Sequence, residues 1–166
     1  MVVDESMNPV SHGTTGQLAI KGPTGCTYLD DPRQQNYVHK GWNLTGDAYQ
    51  VDEDGFFWFQ ARIDDMIISS GYNIAGPEVE AALMTHPSVS ECAVVGIPDK
   101  ERGSIVKAFV VLRPGTVEDE AMKKTIQDFI KKTIAPYKYP RIIEFRKSLP
   151  KTETGKIQRF LLREEA

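Results

Sequence analysis

A chain of 166 residues that is 40% hydrophobic and 26% charged can pack a core in one or two small domains, and its formal net charge of −3 argues against nucleic acid or an anionic membrane as the main partner. Two cysteines without CxxC spacing (Cys26 and Cys92) and three scattered histidines (His12, His39, His86) point to neither a disulfide framework nor a zinc centre. Met1 is not followed by a basic segment and an apolar run, and no stretch of about 18 apolar residues exists, so the expectation is a soluble cytoplasmic protein without a membrane span.

Residues 1–40 are rich in Gly, Pro, Asn, Asp and Thr. Within them Gln17 to Gly22 alternates between polar and apolar residues and reads as a strand. His12-Gly13-Thr14-Thr15-Gly16 looks like a phosphate-binding loop but leads straight into that strand, so it reads as a turn. Gly41 to Val51 is a predicted strand with a glycine interruption, Asp52-Glu53-Asp54-Gly55 a hairpin turn, and Phe56-Phe57-Trp58-Phe59 the returning strand. Gly76-Pro77-Glu78 starts a helix, with proline at the first helical position and acid in the first turn. Val79, Ala82 and Leu83 share its apolar face, and His86-Pro87 ends it. Strands are expected over Val89 to Ile97 and Ser104 to Leu112, and a turn at Arg113-Pro114-Gly115. Glu118 to Ile134 is an amphipathic helix with Met122, Ile126, Phe129 and Ile130 on one stripe. Ala135 to Pro140 breaks it, Arg141 to Arg146 is a short strand, and Leu149 to Lys156 is an exposed loop before a last helical turn from Gln158. The fold class is α+β: a small β subdomain, then a compact domain with a three-stranded core sheet and flanking helices.

The two patterns meet at Gln60-Ala61-Arg62-Ile63-Asp64-Asp65, which leads into Met66-Ile67-Ile68 and then Ser69-Ser70-Gly71. Taken alone, the charges here fit a solvated corner. Arg62-x-Asp64-Asp65-x-Ile67-x-x-x-Gly71 nevertheless resembles the hinge of the adenylate-forming ligases, the acyl-CoA synthetases and their relatives. Three more stretches match that family in order: Thr45-Gly46-Asp47, Ser69-Ser70-Gly71-Tyr72, and Pro150-Lys151-Thr152-x-Thr154-Gly155-Lys156.

The resemblance implies a role for each. Asp47 and Arg62 would hold the ribose of ATP or of the acyl-adenylate, one as acceptor and the other as a fixed cationic donor. Lys156 would be catalytic, bridging the substrate carboxylate and the α-phosphate as charge develops. Ser70, Gly71 and Tyr72 would line the channel for the pantetheine arm of coenzyme A, where glycine lets a narrow chain pass close to backbone. Arg102 matches a coenzyme A contact. Tyr137 and Arg141 suit stacking and a phosphate contact, and a purely structural role suits both equally well. Asn73 departs from the family, because related ligases place a basic residue there. Asp64 would be the hinge of a domain alternation that presents first Lys156 and then the Ser70–Tyr72 loop.

The resemblance also divides the chain into residues 1–63, the end of the large N-terminal domain, and 64–166, the C-terminal lid domain. The phosphate loop, the acid pocket and most of the Mg²⁺ site are expected before Met1, so no metal ligands are assigned here and the fragment is expected to be inactive alone. The implied activity is that of an ATP-dependent acid-CoA ligase, with the carboxylic acid, ATP and coenzyme A as small-molecule partners and the missing N-terminal domain as the protein partner. Gly22 to Pro32 and Gly41 to Tyr49 are most like 2-aminobenzoate- or benzoate-CoA ligases. A medium-chain fatty acyl-CoA ligase, and an adenylation or lid module without activity of its own, are the alternatives.

Overall fold

The computed structural model describes residues 1–23, 30, 32 and 37–165. Cys26 and most of the Gly22–Pro32 stretch lie outside the described residues. The chain divides into two compact units, Met1–Asp64 and Asp65–Ala166.

The first unit is a five-stranded antiparallel sheet of β1 (Val2–Val3), β2 (Thr15–Ile20), β3 (Val38–His39), β4 (Trp42–Val51) and β5 (Phe57–Arg62). The glycine of the expected turn at 12–16 is needed at Gly13, whose φ is +77°, and β2 starts two residues later. β4 and β5 form the expected hairpin. Gly55 takes φ +86° at its tip, and the Asp52 carboxylate accepts from the Phe56 N–H at 2.8 Å and from the Trp58 indole at 2.7 Å. The aromatic run Phe56 to Phe59 stays exposed on this edge strand, so its β propensity reflects backbone and cross-strand fit rather than burial.

The second unit is mixed. β6 (Met66–Ser69) and β7 (Tyr72–Ala75) form a hairpin, followed by α1 (Gly76–Met84), β8 (Val89–Asp99), β9 (Gly103–Leu112), α2 (Glu120–Thr133), β10 (Ile142–Phe145) and α3 (Arg159–Glu164). β9 is the central strand. It pairs antiparallel with β8 along its whole length and parallel with β10 over Lys107–Val110. These are the three expected core strands, and the β6–β7 hairpin joins at Ser69–Gly103 to make the sheet five-stranded. The parallel pair follows from connectivity, since α2 supplies the crossover that a parallel neighbour requires.

The core is built by faces. Val79, Ala82 and Leu83 of α1 and Ile126 and Ile130 of α2 pack on one side of the sheet against Val94, Val106, Ala108 and Val110. Phe109, Ala93 and Val95 face the other side, with Leu149 and Leu162. α2 starts at Asp119, whose carboxylate accepts the Met122 N–H at 2.7 Å, and ends on Lys131 and Lys132, which suit the negative end of the helix dipole.

His86 is buried where α1 ends, with its ring edge-on to Phe129 at 5.0 Å and Nδ1 accepting the Ser88 N–H at 3.2 Å. Burial disfavours the imidazolium and lowers its pKa below the ordinary 6.5. The unfolded chain therefore takes up a proton at His86 before the folded chain does. The stability contribution is present above the unfolded value and declines as pH falls from there toward the folded value. Urea midpoints between about pH 7.5 and about pH 5.5 should fall with acidity, and the slope should lessen in His86→Asn.

Candidate functional site

Three groups of expected site residues are positioned by three different devices. The first is a bulge. β2 pairs with β4 at Gln17–Ala48 and resumes at Ala19–Leu44, so Thr45, Gly46 and Asp47 stand opposite Leu18 alone. Gly46 takes φ +75° in this bulge, and a Cβ there would come within 3.1 Å of Arg62 Nη2. Thr45 fixes the bulge by donating its hydroxyl to Leu18 O at 3.3 Å and accepting the Asp47 N–H at 3.2 Å. Asp47 is in register with Arg62 on β5, and the two form an ion pair at 3.1 Å. An acceptor and a fixed cationic fork thus lie side by side, both accessible, with bulge geometry re-aiming the carboxylate. Asp64, exposed in a 3₁₀ turn over Ile63–Asp65, follows directly.

The second device is a two-residue turn. Ser70 and Gly71 connect β6 to β7 with φ values of +50° and +81°, the pattern of a type I′ hairpin turn. Tyr72 is therefore a strand residue and not part of a loop, as is Asn73, which is exposed on β7. Arg102 holds the turn at both ends of its own residue. Its carbonyl accepts the Ser70 N–H at 2.9 Å, and its Nη1 donates to Ser70 Oγ at 3.1 Å. The Asp99 carboxylate in turn accepts the N–H groups of Glu101 and Arg102. Tyr72 stacks on Tyr137 at 4.5 Å, with the rings 27° from parallel. Ser70, Gly71, Tyr72, Arg102 and Tyr137 are thus brought together.

Arg141 is engaged elsewhere. It lies 5.2 Å from the Tyr139 ring and donates to the Tyr139 hydroxyl at 3.2 Å, while the Lys131 ammonium sits 4.3 Å from the centre of the same ring. Lys123, Lys124, Lys131 and Arg141 line an open groove of about 460 Å³ beside α2, together with Glu120 and Asp128, which pair with Lys123 at 2.6 Å and with Lys131 at 3.2 Å. Sequence reasoning missed Tyr139 here, although its place two residues before Arg141 was a usable signal.

The third device is the lysine loop. An isolated bridge pairs Lys151 with Ile157, and Gly155 takes φ +83° at the tip. Its base is anchored three ways. Lys151 pairs with Glu91 at 2.6 Å, the Gln158 N–H donates to Pro150 O at 2.9 Å, and Ile157 packs against the Phe109 cluster. Lys156 is exposed, and its ammonium has no ion-pair partner among the described residues. Just behind the loop, Arg159 of α3 grips Glu80 of α1 with two hydrogen bonds, at 2.9 and 2.6 Å. The Glu80 carboxylate also accepts the Val94 N–H at 2.8 Å. That hydrogen-bonded partner raises the Arg159 pKa above its ordinary value. Nearby Cys92 is a buried free thiol, pushed up to about 12 by burial and the Glu80 charge, so it is a packed side chain and not a nucleophile. Among the described residues no cluster of three or more His, Cys, Asp or Glu could hold a metal ion, and no helix is long and apolar enough to cross a membrane.

The AMP-binding enzyme C-terminal domain family matches residues 78–156. The chain is 46% identical to the mitochondrial acyl-coenzyme A synthetase ACSM3 of Mus musculus, over 99% of this chain and 30% of that protein. The chain carries an AMP-binding enzyme C-terminal domain, and its relatives are acyl-CoA synthetases. An acyl-CoA ligase of Bacillus subtilis, YtcI, is also 46% identical, over 98% of this chain and 31% of that protein. Among solved structures, the anthranilate CoA ligase AuaEII in complex with anthranoyl-AMP superposes with a TM-score of 0.84 at 41% identity, covering 99% of this chain and 32% of that one. The chain spans about 30% of the length of the curated relatives it matches.

Proposed function

We propose that this chain is the C-terminal part of an ATP-dependent acid-CoA ligase. The reading rests above all on an unpaired cation at Lys156, set on a loop whose base is anchored on both sides. In the first step a carboxylate oxygen attacks the α-phosphorus of ATP and pyrophosphate leaves. Two anionic groups must approach, and Lys156 bridges them and offsets the charge that builds on the phosphorus oxygens. Asp47 accepts hydrogen bonds from the ribose hydroxyls while Arg62 fixes the carboxylate and adds a donor. In the second step the sulfur of coenzyme A attacks the acyl carbonyl, AMP leaves, and the thiol proton passes to solvent.

The Ser70–Gly71 turn, held by Arg102, offers exposed backbone to the pantetheine arm, with Tyr72 and Tyr137 as an aromatic wall. Arg141, Lys131 and Tyr139 suit a phosphate of the same ligand. Rotation at Asp64 would present Lys156 for the first step and the turn for the second, so residues 1–63 act with the large domain and 64–166 as the lid. Mg²⁺, the phosphate loop and the acid pocket would belong to the remainder of the polypeptide. A cytoplasmic setting is part of this reading.

An aromatic acid, 2-aminobenzoate or benzoate, is the favoured substrate, supported by the likeness to the anthranilate CoA ligase. A fatty acyl substrate is the second reading, favoured by the higher identity to enzymes named simply acyl-coenzyme A synthetases. AMP release by the complete polypeptide with benzoate, 2-aminobenzoate or octanoate, with and without coenzyme A, decides between them. Turnover by the 166-residue chain alone would refute the fragment reading. In the complete polypeptide, Asp47→Ala removes a charge-assisted acceptor of about 1.5–3 kcal/mol. It should therefore lower kcat/KM for ATP by about 10- to 100-fold, read from initial rates at varied ATP.

A further inference from the structure

Thr152 is the hub of the lysine loop. Its N–H donates to Lys156 O at 2.8 Å, its carbonyl accepts the Gly155 N–H at 2.9 Å, and its hydroxyl accepts the Lys156 N–H at 3.1 Å. The same hydroxyl lies 2.9 Å from the Thr154 hydroxyl. Lys156 is therefore tied to Thr152 through both of its backbone polar groups, while its side chain remains untethered. The residues of the tip, 153 to 155, are exposed, and nothing would lie within 4 Å of a Cβ at Gly155. Packing does not shape this tip; hydrogen bonds from one residue do.

We propose that Thr152 is a positioning residue for Lys156. Its hydroxyl closes the loop and fixes where the lysine side chain departs from the backbone, so that the ammonium arrives at the reacting oxygens from one direction. This rests on the role given to Lys156 above. The backbone half of the clamp survives any substitution that keeps the N–H at 152, so the hydroxyl is the part that a side-chain change can test. Valine keeps the β-branched shape of threonine and removes the acceptor. Because the Lys156 N–H is exposed, water satisfies it in the variant, and the loss falls on loop geometry and not on folding.

The test uses the complete polypeptide and measures two half-reactions separately: pyrophosphate release from acid and ATP, and thioester formation from preformed acyl-adenylate. Thr152→Val should slow pyrophosphate release by about 100-fold, the penalty of a displaced catalytic group, with KM for ATP unchanged. It should leave thioester formation and the urea midpoint as in the wild type, and Thr152→Ser should restore the first rate. A wild-type first rate in Thr152→Val, an equal fall in both half-reactions, or a failure of serine to rescue would each overturn the proposal. Lys156→Ala separates it from the reading beneath: loss of adenylation there with a normal Thr152→Val overturns the clamp alone. Retained adenylation in Lys156→Ala overturns the role of the lysine and the clamp with it.

Discussion

Lys156→Ala in the complete polypeptide is expected to lower the rate of acyl-adenylate formation by about 10²–10³-fold, the usual cost of removing one preorganised donor to a developing oxyanion. Thioester formation from preformed adenylate should proceed at the wild-type rate, because the lysine has no part in attack by the thiol. The asymmetry is the discriminating feature. The side chain is exposed and makes no ion pair among the described residues, so its loss leaves no buried group unsatisfied and folding should be unchanged. A stopped assay of pyrophosphate against one of thioester separates the two rates. A parallel fall in both would instead mean that the lysine supports the structure in general.

Glu80→Ala should have the largest effect on stability. Glu80 is the acceptor for two Arg159 donors and for the Val94 N–H, and its side chain is only 13% exposed. Truncation leaves a guanidinium that is 25% exposed without its counter-charge and frees a backbone donor on the central sheet. Breaking a fully buried pair costs about 3–5 kcal/mol, and the partial exposure here brings the expected loss to about 2–4 kcal/mol. For a unit of this size that lowers Tm on the order of 10–20 °C. Glu80→Gln should fall between, and Arg159→Met placed on Glu80→Ala should recover part of the loss, since the stranded charge is then gone. Calorimetry of the three variants checks the order. A loss below about 1 kcal/mol in Glu80→Ala would place the pair among ordinary surface contacts.

Much of the fold was legible because it is written in local patterns. Pro77 and Glu78 mark the start of α1, the stripe through Ile126 and Ile130 marks the buried face of α2, and the apolar runs of β8 and β9 mark strands covered on both faces. What was not legible depends on residues far apart in sequence. Nothing in Ile142–Phe145 says that it pairs parallel with Lys107–Val110, and nothing in Glu80 announces an arginine 79 residues away. The β6–β7 hairpin is intermediate. Ser70-Gly71 is a fair turn signal, but Tyr72 and Asn73 look like loop because both are exposed, and only Ile74 and Ala75 of this four-residue strand are buried. At the site, motif spacing marked Asp47, Arg62 and Lys156. The supporting hydrogen bonds of Arg102 and Thr152 needed geometry, because a side chain that holds a turn looks like any polar surface residue in sequence.

The bulge at Thr45–Asp47 has a consequence for how this protein can change. Three residues of β4 span the place where β2 supplies one, and the alternation of inside and outside resumes only at Ala48, which is buried. Removing or adding one residue there would invert the facing of every later position in the strand, turning Ala48 outward and carrying Asp47 away from Arg62. The turn over Asp52–Gly55 bears no such constraint, since it closes in solvent. The number of residues between Leu44 and Ala48 is thus as much a determinant of the site as their identities. Insertions and deletions in this sheet should be admitted at the hairpin tip and refused five residues upstream.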